Sequence, residues 1–386
     1  MTINLTHKII FTIFILLGFY LCKIGGYGSD EDTLPMIGTF IGYLNGNFMT
    51  SRFTGYPVAE FSIGFFAYNF GSFSTNLFIF FCLISSLVIF YISFKKEFDI
   101  DKIILFLIFI LSNPIIFFDN LEPVDYSIAF LFFSLGIYFL KKNFLELSII
   151  FFGICIGARI NFAPFVILVI LFSKLNYIEN NFRKIFIILS SIFIGCLFYL
   201  PVWIESSLTF DWFRAGRLEG SFFDYFARFS YKTWKTIGFL QLVIFLFLLI
   251  RFKKKIISQN FSILIFLLIL SNLIIFFYIP AELSYLQPMI IFFYFIIFEC
   301  VEKKFIYALI FLNVLTWFIN IEPIKVIYKS NKLCDPVQAL DAKIQPKIIK
   351  GYYFSFLESR SKIRCWIKVD TEIGKKILEG KPFKIK

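Results

Sequence analysis

Hydrophobic residues in this chain fall into long blocks separated by short polar clusters. Ile9–Ile24, Asn76–Phe94, Ile103–Phe118, Tyr126–Leu140, Ile185–Trp203, Ile237–Ile250, Phe261–Ile279, Tyr285–Phe298 and Phe305–Ile319 are such blocks. A membrane-crossing helix needs about 20 mostly apolar residues, with a range of roughly 17–25. The shorter blocks reach that length by extending into their flanks. A further block, Phe144–Phe172, is long and carries Arg159, Asn161 and Pro164 in its middle. The polar clusters between blocks are basic: His7-Lys8, Lys95-Lys96 with Lys102, Lys141-Lys142, Lys174 with Arg183-Lys184, Arg251 with Lys253–Lys255, and Lys303-Lys304. If Phe144–Phe172 is one helix, the last three clusters fall opposite the others. If it is two short helices meeting near Arg159, all fall on one side. Positive charge collects on the cytoplasmic side of membrane proteins, which favours two segments, a hairpin of broken helices lining a cavity. About eleven segments result, with the N-terminus inside and the C-terminal tail outside.

Composition agrees. Of 386 residues, 59% are hydrophobic and 17% charged, and the mean hydropathy is +0.81. Soluble domains are about 45–50% apolar and about 25% charged. A soluble protein, a disordered chain and a nucleic-acid binder are therefore excluded. The net charge of +12 sits largely in clusters between apolar blocks, not on one folded basic face. Membrane lipids are expected partners and nucleic acid is not. The first block lacks a small-residue cleavage site, and Phe19-Tyr20-Leu21-Cys22 is a poor lipidation box, so a retained anchor is expected. No repeat stands out. The expected organisation is a transmembrane domain over 1–320 and a small extracytoplasmic domain over 321–386.

This topology leaves three substantial outer regions. In the first, 25–75, Leu34, Ile37, Ile41, Leu44 and Phe48 recur at helical spacing, and a second apolar helix is predicted from Val58 to Phe70 after Pro57. Both suit the membrane interface. The second, 204–236, carries Arg214, Arg217, Arg228, Lys232 and Lys235 among aromatic residues. The third is the tail. Cys22, Cys82, Cys155, Cys196 and Cys300 lie in or beside apolar blocks and read as small hydrophobes. Cys334 and Cys365 lie in the tail, where an oxidising compartment favours a disulfide between them. No Cys or His cluster has zinc spacing. The lone histidine, His7, reads as part of the inner flank, which excludes a Ser-His-Asp or Cys-His arrangement outside.

Acids gather at the outer ends of the blocks: Asp30, Glu31 and Asp32; Asp119, Glu122 and Asp125; and Glu282. Arg52, Arg159, Arg214 and Arg217 share that face. A carboxylate can take the proton of an acceptor hydroxyl, and arginine holds phosphate through paired hydrogen bonds. Together they fit a lipid-phosphate donor and a hydroxyl acceptor. The plainer reading is that acids at outer loop ends are tolerated because water is near. Asp30-Glu31-Asp32 resists it, since three adjacent acids repel and need a cation, an arginine or water. Arg159 resists it too, because a charge within an apolar stretch is expensive. Arg214 and Arg217 read equally well as an interfacial anchor with Trp212.

The order of these motifs resembles the GT-C superfamily of integral-membrane glycosyltransferases, of the dolichyl-phosphate-mannose-dependent kind. An apolar segment precedes Asp30-Glu31-Asp32-Thr33. Arg52-Phe53-Thr54-Gly55-Tyr56-Pro57 is similar to an R-x-x-G-Y-P segment of polyprenyl-phosphate-sugar transferases. Asn113-Pro114 through Asp125 looks like the second outer loop. Gly157 through Pro164 is similar to the arginine-bearing turn between short helices, and Glu282 to Pro288 resembles an E-x-x-Y-L-x-P before a late span. The resemblance covers about the first three hundred residues; the tail matches nothing.

It implies an all-α polytopic membrane protein with outer interfacial helices, set in a bacterial inner membrane with its site facing the periplasm. It implies inverting transfer of a hexosyl or pentosyl group from a polyprenyl-phosphate carrier to a hydroxyl on a glycan, lipid or protein. Asp32 is then the general base, with Asp30 in reserve. Asp125 assists the acceptor or a cation, and Arg52, Arg159, Arg214 and Arg217 bind the donor phosphate. Glu31, Glu282, Tyr56 and Tyr285 support them. Three acids at the first site, where the family pattern has fewer, leave the base open between Asp30 and Asp32. No cofactor is required; Mg²⁺ or Mn²⁺ would suit Asp30, Asp32 and Asp125. The rivals are an O-antigen-type polymerase or ligase using diphosphate-linked glycans, which would put more weight on 204–236, and a lipid-linked sugar flippase or transporter, which would show midplane charges and paired repeats.

Overall fold

The computed structural model describes residues 4–28, 33–46, 50–51, 55–95, 99–172, 181–205, 222–278, 283–328, 339–362, 376 and 379–383. The chain opens with α1 (Leu5–Gly25), whose N-cap Asn4 side chain accepts from the Thr6 amide. Two shorter helices follow, α2 (Thr33–Leu44) and α3 (Pro57–Phe70). They are the two helices read from spacing, and they pack closely: a Cβ on Gly64 would lie 2.1 Å from Phe40. Then come α4 (Ser72–Phe94) and α5 (Ile100–Ser112).

The block Ile103–Phe118 is not one span. It breaks at Asn113, and α6 (Pro114–Asp119) restarts it. The residue before a proline is steered away from helix. Asn113 instead caps the new helix by accepting from the Ile116 amide at 3.2 Å.

The next helices are α7 (Tyr126–Lys141), α8 (Leu145–Ala158) and α9 (Ala163–Phe172), with a 3-10 turn at Ile160–Phe162 between the last two. Beyond them run α10 (Asn181–Phe198), α11 (Leu200–Glu205) and α12 (Phe222–Ile237). Helix α12 bends by 83° into α13 (Phe239–Arg251). Gly238 makes the corner at φ 87°, in the left-handed region that favours glycine. The bundle closes with α14 (Lys253–Ile257), α15 (Ser262–Tyr278), α16 (Gln287–Cys300) and α17 (Lys303–Phe318).

The tail begins as an antiparallel hairpin, β1 (Ile319–Tyr328) with β2 (Ala339–Lys350), then α18 (Tyr352–Lys362). The register slips between Glu322 and Ile324, which leaves Pro323 outside the ladder. Phe356 of α18 packs on Phe118, and the Tyr352 hydroxyl donates to the Lys235 carbonyl at 2.9 Å. Further on, the Ser72 amide donates to the Gly380 carbonyl at 3.0 Å, and Phe383 rests against Tyr27.

Contacts fix the direction of each helix. His7 of α1 meets Asp101 of α5 and Tyr307 of α17. Lys95 after α4 pairs with Glu299 of α16. Lys141 of α7 donates to the Ile92 carbonyl at 2.8 Å, and Arg251 of α13 lies over Phe305. The described basic clusters so connected therefore share one end of the bundle.

Helices α8 and α10 run parallel, because Gly153 meets Ser191 and Ile194 while Gly157 meets Phe198. The chain therefore rises through α8, returns through α9 and rises again, as the charge argument requires. Among the described residues, eleven helices (α1, α4, α5, α7, α8, α9, α10, α13, α15, α16, α17) run between the lysine-rich end and the opposite one. By length and composition, Leu5–Gly25, Ser72–Phe94, Asn181–Phe198 and Leu283–Cys300 are long and apolar enough to cross a membrane alone, and the bent pair at Gly238 would add a fifth.

The core between them is aromatic. Phe90, Phe106, Phe133 and Phe292 are fully buried. A chain of buried hydrogen bonds from Asn113 to Tyr294, Asn313 and Ser112 ties α5 to α16 and α17. Cys22, Cys82, Cys155 and Cys300 are free and buried, and Cys196 is free and exposed.

Candidate active site

The site is built where four segments meet at the end opposite the lysines. Arg159 leaves α8 in extended conformation, φ −155° and ψ 115°. Pro164 falls in the first turn of α9, where its missing N–H is harmless. The break therefore sits on the one charged residue in the middle of the stretch, the other, Glu146, lying in the first turn of α8. The turn is held by Tyr199, between α10 and α11, whose hydroxyl donates to the Ile156 carbonyl at 3.1 Å. Asp125 stands immediately before α7. Tyr56 precedes Pro57 of α3. Tyr285 lies in the 3-10 turn Leu283–Leu286, and the Asn272 amide donates to its carbonyl at 3.2 Å. Asn120 and Gln287 bond to each other at 3.1 Å and tie the loop of Asp125 to the start of α16.

Arg159 is 1% exposed and Asp125 2%. Nη1 of the arginine donates to a carboxylate oxygen of Asp125. Three tyrosine rings enclose the guanidinium, with centres 3.5 Å (Tyr126), 4.7 Å (Tyr56) and 4.9 Å (Tyr285) from Cζ. Cation–π attraction strengthens when the pair is desolvated, as here. Arg159 Nε and Nη2, and the Tyr126 hydroxyl, are buried without a hydrogen-bond partner. Nε–H and Nη2–H form one edge of the guanidinium, the edge that grips a carboxylate or phosphate with two parallel bonds. Native proteins satisfy nearly all buried donors, so three unmet ones in one place mark a site for a ligand.

A second set of carboxylates steadies the first outer region. Glu60 is fully buried and accepts from the Ser51 amide at 3.4 Å and from the Ser51 hydroxyl. Glu205 accepts from the Thr50 amide at 3.0 Å. Gly55, at φ 59°, lies against Val202 of α11. Burial, then the charges of Glu60 and Glu205, push the Tyr43 hydroxyl up to about 12, so it stays protonated at neutral pH.

The course of the chain matches two crystal structures of ArnT from Cupriavidus metallidurans. One is bound to undecaprenyl phosphate, with a TM-score of 0.57 at 10% identity, covering 79% of this chain and 63% of that one. The other is in the apo state, with a TM-score of 0.53 at 11% identity, covering 77% and 61%. The chain shares its fold with these ArnT structures. The chain spans less than two thirds of the length of ArnT. No protein-family model and no curated protein matches the sequence.

On this frame of an integral membrane protein, the sequence-predicted residues divide. Asp125, Arg159, Tyr56 and Tyr285 converge on one point. Asp30, Glu31, Asp32, Arg52, Arg214, Arg217, Glu282, Cys334 and Cys365 lie outside the described residues. Asp125 has the Arg159 guanidinium as its partner, and among the described residues no group of three or more His, Cys, Asp or Glu could hold a metal. Sequence reasoning missed Tyr126 and Glu60. Tyr126 had only its place after Asp125 as a signal; Glu60 stood four residues after Tyr56, a helical spacing that carries no chemistry by itself.

A cavity of about 430 Å³ opens at the other end of the bundle, lined among others by Lys95, Lys102 and Glu299. It is remote from Arg159. Two of its lysines are already paired, Lys95 with Glu299 and Lys102 with Asp99, so the unmet donors around Arg159, not this cavity, identify the site.

Proposed function

We propose that this chain is an inverting glycosyltransferase that moves a hexosyl or pentosyl group from a polyprenyl-phosphate carrier to a hydroxyl acceptor outside the cytoplasm. The observation that carries the reading is the Arg159 edge. A fully buried guanidinium keeps two donors unmet beside a carboxylate counter-ion, within a helical bundle of the kind that binds undecaprenyl phosphate in ArnT. The carrier's tail stays in the bilayer while its phosphate meets Nε–H and Nη2–H. Asp125 keeps Arg159 oriented, and Tyr56, Tyr126 and Tyr285 exclude water from the pair.

In the reaction, Asp32, with Asp30 in reserve, takes the acceptor's proton. The acceptor oxygen bonds to the anomeric carbon from the face opposite the phosphate. The bond from that carbon to the phosphate oxygen breaks, its electron pair leaves with the carrier phosphate, and the configuration inverts. The leaving group is already a good one, so positioning and stabilisation of its growing charge matter most.

The test is transfer of radiolabelled sugar from polyprenyl-phosphate donors by purified protein, beside Asp30→Asn and Asp32→Asn. Loss of a general base lowers the rate by about 10²–10⁴-fold, and that loss is expected in Asp32→Asn. No transfer from any monophosphate donor by folded protein sinks the reading in favour of diphosphate-linked substrates.

A further inference from the structure

The tyrosine stacked on Arg159 carries a hydroxyl that the fold leaves unused. Tyr126 is 4% exposed, its ring centre is 3.5 Å from Arg159 Cζ, and its oxygen has no hydrogen-bond partner. Cation–π stacking needs only the ring, which phenylalanine would supply. Phenylalanine is the commonest aromatic residue of this chain, 59 positions against 19 for tyrosine, and helix α7 uses it four times. A buried hydroxyl with no partner is a liability, because it forfeits its bonds to water. Tyrosine hydroxyls buried elsewhere in the bundle find partners: Tyr27 donates to the Lys381 carbonyl, Tyr199 to the Ile156 carbonyl and Tyr294 to the Asn313 side chain. The unmet hydroxyl of Tyr126 stands out against them. It also shares its place with the two unmet donors of Arg159.

Resting on the function proposed above, we infer that the Tyr126 hydroxyl is the third donor to the carrier phosphate, beside Arg159 Nε–H and Nη2–H. The geometry permits it. The oxygen is para on a ring centred 3.5 Å from Cζ, so it lies within about 6 Å of the guanidinium carbon, a gap that one phosphate bridges with hydrogen bonds of about 2.8 Å. Three donors from two neighbouring side chains then meet the phosphate oxygens in a setting where water is shut out. Such bonds are worth more there than at a surface. Tyr126 thereby acts in binding, and Asp125, next in the chain, acts through Arg159 as a positioning residue.

The experiment measures binding of polyprenyl monophosphate and of the matching polyprenol, which lacks the phosphate, to the purified full-length protein and to Tyr126→Phe. The ratio of the two affinities isolates the phosphate contribution even where the variant changes packing. Wild type is expected to favour the phosphate over the alcohol. Tyr126→Phe should reduce that preference by about 10–100-fold, the loss expected for one hydrogen bond to a charged group. Its unfolding midpoint without ligand should be no lower than wild type, since an unmet buried hydroxyl is removed. An unchanged preference in Tyr126→Phe overturns this inference and leaves the proposed function standing. A wild type that does not distinguish phosphate from alcohol overturns both.

Discussion

The two ends of this bundle handle charge in opposite ways. At the lysine-rich end, ion pairs are numerous and mostly half-exposed: Lys102 with Asp99, Lys304 with Glu302, and the less exposed Lys95 with Glu299. Water and salt screen such pairs, and each contributes little. At the other end the pair of Arg159 with Asp125 is almost wholly buried. It has lost its hydration, it is wrapped in tyrosine, and it still leaves donors unmet. The first arrangement sets orientation in the membrane. The second holds charge where charge is unfavourable, which a protein tolerates for chemistry. Number of charges is therefore a poor guide to function in this chain, and burial of one is a good guide.

The comparison breaks most visibly at Asp125. Asp125→Ala strands a buried guanidinium, and removing one partner of a buried pair costs about 3–5 kcal/mol. The unfolding midpoint in detergent should fall sharply, and polyprenyl phosphate binding should fall with it. A midpoint within a degree of wild type would mean that Arg159 is not held by this carboxylate.

His7 is the informative exception at the lysine-rich end. It is 2% exposed, with ring nitrogens 2.8 Å from Asp101 and 2.9 Å from the Tyr307 hydroxyl. It is no solvated flank residue; it locks α1 to α5 and α17. His7→Ala should destabilise by about 1–3 kcal/mol while leaving sugar transfer at neutral pH intact. Loss of transfer in a folded protein would tie the two ends together. The smallest effect belongs to Lys304→Gln, whose side chain is 67% exposed. No measurable change in the midpoint is expected, and a clear one would show that this end contributes more than orientation.

Much of the fold was readable because a membrane helix announces itself through composition. The α8–α9 hairpin was readable because Arg159 and the flanking basic clusters leave one consistent topology. What composition hides is direction change inside an apolar block. Asn113-Pro114 splits a block that hydropathy reads as continuous, and Gly238 turns the chain through 83° at a single residue. The hairpin of β1 and β2 was hard to read because each strand carries an internal proline, Pro323 and Pro346, and proline within a run argues against a strand.

At the site, Arg159 stood out as a charge among apolar residues. Asp125, Tyr56 and Tyr285 were drawn in through motif order. Their meeting depends on segments more than two hundred residues apart, and no local pattern encodes that. Tyr126 was invisible because its distinguishing property, an unused hydroxyl, exists only after folding.

The broken hairpin has a consequence for how this protein is made. Helices α8 and α9 have 14 and 10 residues, about 21 and 15 Å at 1.5 Å per residue, against a hydrocarbon core of about 30 Å. Neither can enter the bilayer as a self-sufficient span, and the tip between them carries a cation. Their burial depends on α7, which brings Asp125, and on α10 and α15, which cover them and are synthesised later. Asp125, Tyr126 and Tyr56 precede Arg159 in the chain and Tyr285 follows it, so the enclosure of the guanidinium closes only once the turn before α16 is in place. The candidate site is thus completed by assembly of distant segments and not by its own stretch of chain.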